Sequence, residues 1–310
     1  MRKTCLDTVY ELAKKNKKIL FIGSDLGPGV LDNFKKEFPN RFFMEGVAEQ
    51  AIIGLSAGLA MQKFRPYVNT IATFITRRAF EQVVVDLCLH NLPVTLIGNG
   101  GGMVYAPLGP THQAIEDISI MRTLPNLTVL APCDANDIKN LVLQTPQIKG
   151  PIYIRIARGG EEIVTTGSKS KIGKGLILKK QTKFNFLTTG ITAQIAIHAA
   201  KKIKKKFNID VGVIQFSTIK PLDKNLLKKI ILKSKKIITV EENVIEGGFG
   251  SAVLEFSSNF KYKNKISDIN IIGLKSLFSK KYGTQKELLK YNNLDDEFLS
   301  KKMYKFISDD

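Results

Sequence analysis

RFFMEGVAEQAIIGLSAGLAM, Arg41 to Met61, is apolar and rich in small residues, yet it carries two glutamates, Glu45 and Glu49. Burying an ionised carboxylate costs several kcal/mol unless the group is paired or protonated. The residues after Val47 read as a helix from Glu49 to Gln62, with Glu49 in the first turn. An acid there complements the helix dipole. Alternatively, walled in by the apolar run, it keeps its proton and donates a hydrogen bond. Glu45 precedes the helix and reads as a structural or rim carboxyl.

Outward from this helix, short apolar runs alternate with longer amphipathic ones. The strand candidates in the first half are KILFIGS (18–24), PVTLIGN (93–99), LTVLAP (127–132) and PIYIRIA (151–157). Those in the second half are FNFLTTG (184–190), DVGVIQF (210–216), KIITVEE (236–242) and INIIGL (269–274). Helical patterns fall at Thr4–Lys15, Arg77–His90, Ala135–Gln144, Ala193–Phe207, Lys224–Ser234 and Ser251–Ser258. Continuous apolar strands between amphipathic helices predict parallel sheets covered on both faces. The class is α/β with two doubly wound domains. A Gly-, Ser- and Lys-rich stretch, EEIVTTGSKSKIGK from Glu161 to Lys174, has weak periodicity and parts the two series of strands. The expected division is a first domain over 1–165, a linker over 166–179 and a second domain over 180–310.

The composition of the 310-residue chain, 44% hydrophobic and 24% charged, is that of a globular protein. No run approaches the 18 or so apolar residues of a membrane span. The N-terminus has no apolar core with a small-residue cleavage site, so a cytoplasmic protein is expected. Cys5, Cys88 and Cys133 are far apart and odd in number, against a disulfide framework or zinc cluster. The net charge of +19 is spread along the chain in runs such as KKNKK and KKIKKKF. These runs sit on polar faces without interleaved aromatics, and a solvated surface is favoured over a nucleic-acid site.

Two glycine clusters, GNGGGM (98–103) and GGFGSA (247–252), match neither dinucleotide nor P-loop patterns. Tight structural turns are the first reading. Both still lie at carboxyl ends of strands, where open α/β sheets bind ligands. His90 ends a helix and reads as polar, and His198 reads as a packed mid-helix residue. His112 sits in a Gly-Pro loop, PLGPTHQAIED, and is either structural or a hydrogen-bond donor and proton shuttle.

Four segments in one order, GVAEQAIIGLSAGLA, TFITRRAFEQVVVDLCLHNLPV, GPTHQAIEDISIMRTLPNLTVLAP and TIKPLD…VEENVIEGGFGSAV, resemble the C-terminal half of a transketolase. They also resemble 1-deoxy-xylulose-5-phosphate synthase and, more distantly, the pyruvate dehydrogenase beta subunit. The resemblance runs from about residue 4 to about residue 305. It implies a thiamine-diphosphate pyrimidine-binding domain followed by a transketolase C-terminal domain. Glu49 falls at the family glutamate that contacts N1′ of the aminopyrimidine and promotes the imino tautomer that deprotonates thiazolium C2. Phe74 matches the aromatic packed on the pyrimidine, with Phe80 as a second. Asp25 and Leu26 match residues lining the middle of the cofactor. His112 matches the histidine that contacts substrate, and Arg158 matches the arginine that grips the sugar phosphate, a task suited to a guanidinium fork.

The departures concern substrate reading. Leu108 stands where transketolases usually have an aspartate, Gly100 where they have a further histidine, and Gly29 where they have a phosphate-binding serine. The resemblance therefore implies a transketolase-like transfer of a two-carbon ketol unit with altered substrate contacts, or an acyloin synthase of the deoxy-xylulose-phosphate type using a 2-oxo acid donor. The family binds the diphosphate and its Mg²⁺ through a GDG…N segment in another domain, and this sequence has no GDG. The expectation is a separate N-terminal partner subunit carrying that half, in an α2β2 assembly.

Overall fold

The computed structural model describes residues 1–24, 31–258 and 267–309. The first half contains β1 (Ile19–Gly23), β2 (Phe42–Met44), β3 (Arg65–Ile71), β4 (Thr95–Asn99), β5 (Thr128–Leu130) and β6 (Ile152–Ile156). All are parallel, in the order β5-β6-β4-β3-β1-β2. Helices α1 (Arg2–Lys15), α2 (Asp32–Glu37), α3 (Glu49–Met61), α4 (Phe80–Gln82), α5 (Asp117–Met121) and α6 (Ala135–Val142) connect and cover them. The second half adds β7 (Leu176–Lys179), β8 (Phe184–Thr188), β9 (Gly212–Gln215), β10 (Thr218–Lys220), β11 (Lys236–Val244) and β12 (Asp268–Leu274). Its helices are α7 (Thr192–Phe207), α8 (Lys224–Lys233), α9 (Phe249–Ser258), α10 (Gln285–Tyr291) and α11 (Asp296–Ser308).

Strand pleating explains the two-faced core. Successive residues point to opposite faces, so Ile22, Val68, Leu96 and Tyr153, in register across β1, β3, β4 and β6, pack under α3 and α5. Their neighbours Phe21, Tyr67, Ile97 and Ile152 pack under α1 and α6. The second sheet, β12-β11-β8-β9-β7, is likewise packed on both faces, one cluster containing Phe186 and Val240, the other Leu187 and Ile237.

Four differences from the sequence reading have physical causes. β3, a central strand, opens on Arg65-Pro66 and carries Asn69 and Thr70, which hide its strand pattern. The helix expected at Arg77–His90 is instead α4 flanked by two wide-turn stretches, Phe74–Arg78 and Val83–Leu89. Such π-type turns recur at functional sites. β7 lies inside the segment read as linker and pairs antiparallel with β9. β10, from the second half, pairs antiparallel with β5 and closes the edge of the first sheet.

The glycine clusters are packed turns. A Cβ on Gly101 would lie 2.1 Å from Arg155, and one on Gly102 would lie 2.4 Å from Glu242. A Cβ on Gly248 would lie 2.1 Å from Glu241. Glu241 is fully buried and accepts from the backbone N–H of Phe249 at 2.6 Å and of Gly250 at 2.8 Å, at the start of α9. Burial pushes its carboxyl up to about 8, against the pull of those two donors. Burial also raises Asp117, Asp137 and Glu242. The folded chain therefore holds these protons more tightly than the unfolded chain. For Glu241 that stabilising contribution is complete below the ordinary glutamate value of 4.5 and is lost as the pH rises through about 8. Denaturant midpoints are expected to fall across that window. Glu241→Gln should flatten the profile, and an unchanged slope would contradict the assignment.

Candidate functional site

Because the first-half strands β1 to β6 are parallel, their carboxyl ends share one edge, the usual ligand edge of an open α/β sheet. From this edge come Ser24 after β1, Phe74 after β3, the loop Gly100–Glu116 after β4, and Arg158 after β6. Glu45 follows β2 and is exposed.

Glu49 opens α3 and is 2% exposed. It is not an isolated acid. Arg78 Nη1 donates to Glu49 Oε2 at 2.6 Å, and Thr70 Oγ1 donates to Oε1 at 3.3 Å. Ser24 Oγ donates to Thr70 Oγ1. The partner that a buried carboxylate requires is thus Arg78, which the sequence reading passed over. Its guanidinium also lies over the Phe74 ring, 4.3 Å from the centroid. The edge of His112 meets that ring at 5.3 Å between centroids. Glu49, Arg78, Phe74 and His112 form one contiguous cluster.

The turn Phe74–Arg78 places these groups: Phe74 and Arg78, four residues apart, share one side of it, and Arg78 reaches Glu49 from there. His112 is half-buried. Its backbone N–H donates to Gly109 O at 3.0 Å, and its Nδ1 lies 2.8 Å from Thr111 Oγ1. The loop is closed at its base by paired bonds between Gly102 and Ala114. Glu242 of β11 accepts from Met103 N at 2.8 Å, so the second domain braces the loop.

The remaining site expectations distribute differently. Phe80 is half-buried and packs against the hydrophobic core beneath α3. Arg158 lines a cleft of about 530 Å³ with Arg2, Lys3 and Tyr10 of α1 and Asn33 of α2. Arg2 Nε is buried without a hydrogen-bond partner among the described residues. Lys3 is held by Asp7 at 2.6 Å, and Arg2 and Arg158 are the arginines that line the cleft. Arg2 went unread because it stood in a basic N-terminal run. Asp25, Leu26 and Gly29 lie outside the described residues. Leu108 is exposed, just ahead of Gly109. Gly100 has φ +74, and a Cβ there would lie 2.1 Å from Tyr105, so no side chain fits at this position.

His198, read as packed, is half-exposed and bonded to Glu162 at 2.9 Å. The three cysteines are free and buried. Among the described residues no helix is long and apolar enough to cross a membrane, and no group of three or more His, Cys, Asp or Glu could hold a metal ion.

Residues 1–160 match the transketolase pyrimidine-binding domain, and residues 173–295 match the transketolase C-terminal domain. The chain belongs to the transketolase family. A protein of Methanocaldococcus jannaschii, provisionally named a transketolase C-terminal section, is 34% identical over 307 residues, 98% of this chain and 95% of that protein. The 1-deoxy-D-xylulose-5-phosphate synthase of Clostridium perfringens strain 13 is 36% identical over 297 residues, 94% of this chain. This transketolase-family chain spans 46% of that synthase's length. Among solved structures, a split-gene transketolase in an inactive beta4 tetramer matches with a TM-score of 0.89 at 32% identity, covering 98% of this chain and 97% of the other.

Proposed function

We propose that this chain is the C-terminal subunit of a split, thiamine-diphosphate-dependent enzyme that transfers a two-carbon ketol unit between sugar phosphates. The observation that carries the reading is the Glu49–Arg78–Phe74–His112 cluster at the ligand edge of the first sheet. A buried carboxylate beside a half-exposed aromatic face fits an aminopyrimidine, which needs a hydrogen-bonding group at N1′ and an apolar surface against its ring. Bound there, the cofactor would supply an electron sink for carbon–carbon cleavage beside a ketose carbonyl. With the cofactor bound, the Glu49 carboxyl would share a proton with the pyrimidine nitrogen, beside its bond to Arg78. Phe74 orients the ring, His112 donates a hydrogen bond to a substrate oxygen, and Arg158 with Arg2 holds the phosphate end.

The sequence has no GDG segment, and the reading assigns Mg²⁺ and the diphosphate to a partner subunit that bears one. A further observation supports a partner on the first domain. α3 was read as almost wholly buried, yet Ala51, Gly54, Leu55, Gly58 and Met61 form an exposed face at helical spacing. Val47 and Leu89 are exposed as well. Apolar patches of this kind mark interaction surfaces. An α2β2 assembly in the cytoplasm is the arrangement we propose.

A second reading, an acyloin synthase of the deoxy-xylulose-phosphate type, is supported by the 36% identity to such a synthase and by the space at Gly100, which admits no histidine. Assaying the chain with its partner separates the two. Two-carbon transfer from a ketose phosphate to an aldose phosphate is the expected result. Release of CO₂ from pyruvate instead would overturn it in favour of the synthase.

A further inference from the structure

We infer that Arg77 is a positioning residue that sets the place of His112 by clamping the loop on which it sits. The inference rests on the reading of His112 as a substrate-facing group. Arg77 Nη1 donates to Pro110 O at 3.2 Å, and Nη2 donates to Gln113 O at 2.8 Å. The same guanidinium makes a two-pronged contact with Glu116, with Nε on Oε1 and Nη2 on Oε2, the latter at 2.8 Å. One side chain thus spans Pro110 to Glu116, and His112 lies between its two carbonyl anchors.

The same turn supplies the surface that His112 touches. Phe74 lies three residues before Arg77 in the stretch Phe74–Arg78, and its ring meets the imidazole at 5.3 Å. Clamp and contact therefore sit on one turn. From the other side, the loop is limited by the second domain, where Tyr282 lies against Gly109. The guanidinium fork matters here, because a lysine ammonium presents no planar pair of donors to Glu116 and cannot reach both carbonyls at once. Arg77 and Glu116 are about one-third and one-quarter exposed, and an ion pair so placed adds little to global stability. Removing it should loosen the loop without unfolding the chain.

The chain has three histidines, His90, His112 and His198, which gives the test an internal control. Proton NMR of the full-length chain reads each imidazole Cε1–H. Arg77→Gln is expected to shift or broaden the His112 signal alone, with the thermal midpoint unchanged. Arg77→Lys, which keeps the charge, should give an intermediate effect and covers the case in which the glutamine variant folds poorly. An unmoved His112 signal, or equal movement of all three, would overturn the clamp.

In the assembled enzyme, Arg77→Gln should lower kcat/KM by roughly 10- to 100-fold, the scale of a small misplacement at a reacting centre. It should cost nothing further on a His112→Ala background. Additive losses would overturn the clamp as well. If His112→Ala leaves turnover untouched, the reading of the site fails, whereas the NMR result judges the clamp by itself.

Discussion

Glu49→Ala is expected to lower turnover of the assembled enzyme by roughly 10²- to 10⁴-fold, the range for a positioned acid–base group. The substitution removes the buried carboxyl in the first turn of α3, 2% exposed, that faces the ligand edge beside Phe74. It also strips Arg78 of its partner, but that side chain is 42% exposed and can turn to water. The fold should therefore survive, and far-UV circular dichroism with a thermal melt should show a native-like chain. Glu49→Gln keeps the shape and one acceptor but removes the ionisable carboxyl that can take up and return a proton, so a loss of similar order is expected. Turnover within a few-fold of wild type for either variant would sink the assignment of Glu49.

Arg158→Ala is expected to raise KM for a phosphorylated substrate by roughly 10- to 150-fold, because hydrogen bonds to charged groups contribute about 1.5–3 kcal/mol. The physical basis is the cleft of about 530 Å³ that Arg158 and Arg2 both line, with Arg2 Nε buried and unpaired among the described residues. An orphaned buried donor is costly, and an anionic oxygen would satisfy it. An unphosphorylated analogue should show no such penalty. Arg2→Ala should behave in the same way, and the double variant should fall short of the product of the two, since both guanidiniums serve one phosphate. A KM change equal for phosphorylated and unphosphorylated substrates would contradict the role.

Much of this architecture was legible from apolar spacing. The uninterrupted runs that became β1, β4, β6, β8, β9, β11 and β12 are short and bounded by turn residues, which favours buried strands, and α3 and α7 begin within a residue of the expected place. β3 was hidden for a functional reason. Its carboxyl half exchanges apolar residues for Asn69 and Thr70, which pair with Asn99 and Glu49. A strand that ends in a site loses the pattern by which strands are found.

The same holds for TFITRRAF. The helix expected at Arg77–His90 takes in both arginines and assigns neither of them a contact. The wide turn brings Arg78 to a buried carboxylate and Arg77 to the His112 loop, contacts that no helical wheel predicts. Gly100, in contrast, stands out in the sequence both within the glycine turn 98–103 and as a departure from the transketolase pattern, and the structure gives it a packing cause in Tyr105. The exposed face of α3 could not be told from core by composition, because a surface awaiting a partner and a surface buried in a core carry the same residues.

The central claim is that this chain holds half of a cofactor site. Its most direct test is thiamine-diphosphate- and Mg²⁺-dependent turnover of a ketose phosphate by the chain alone, by its GDG-bearing partner alone, and by an equimolar mixture. Activity confined to the mixture, and abolished there by Glu49→Ala, is the predicted result. Cofactor-dependent turnover by the chain without a partner would contradict it.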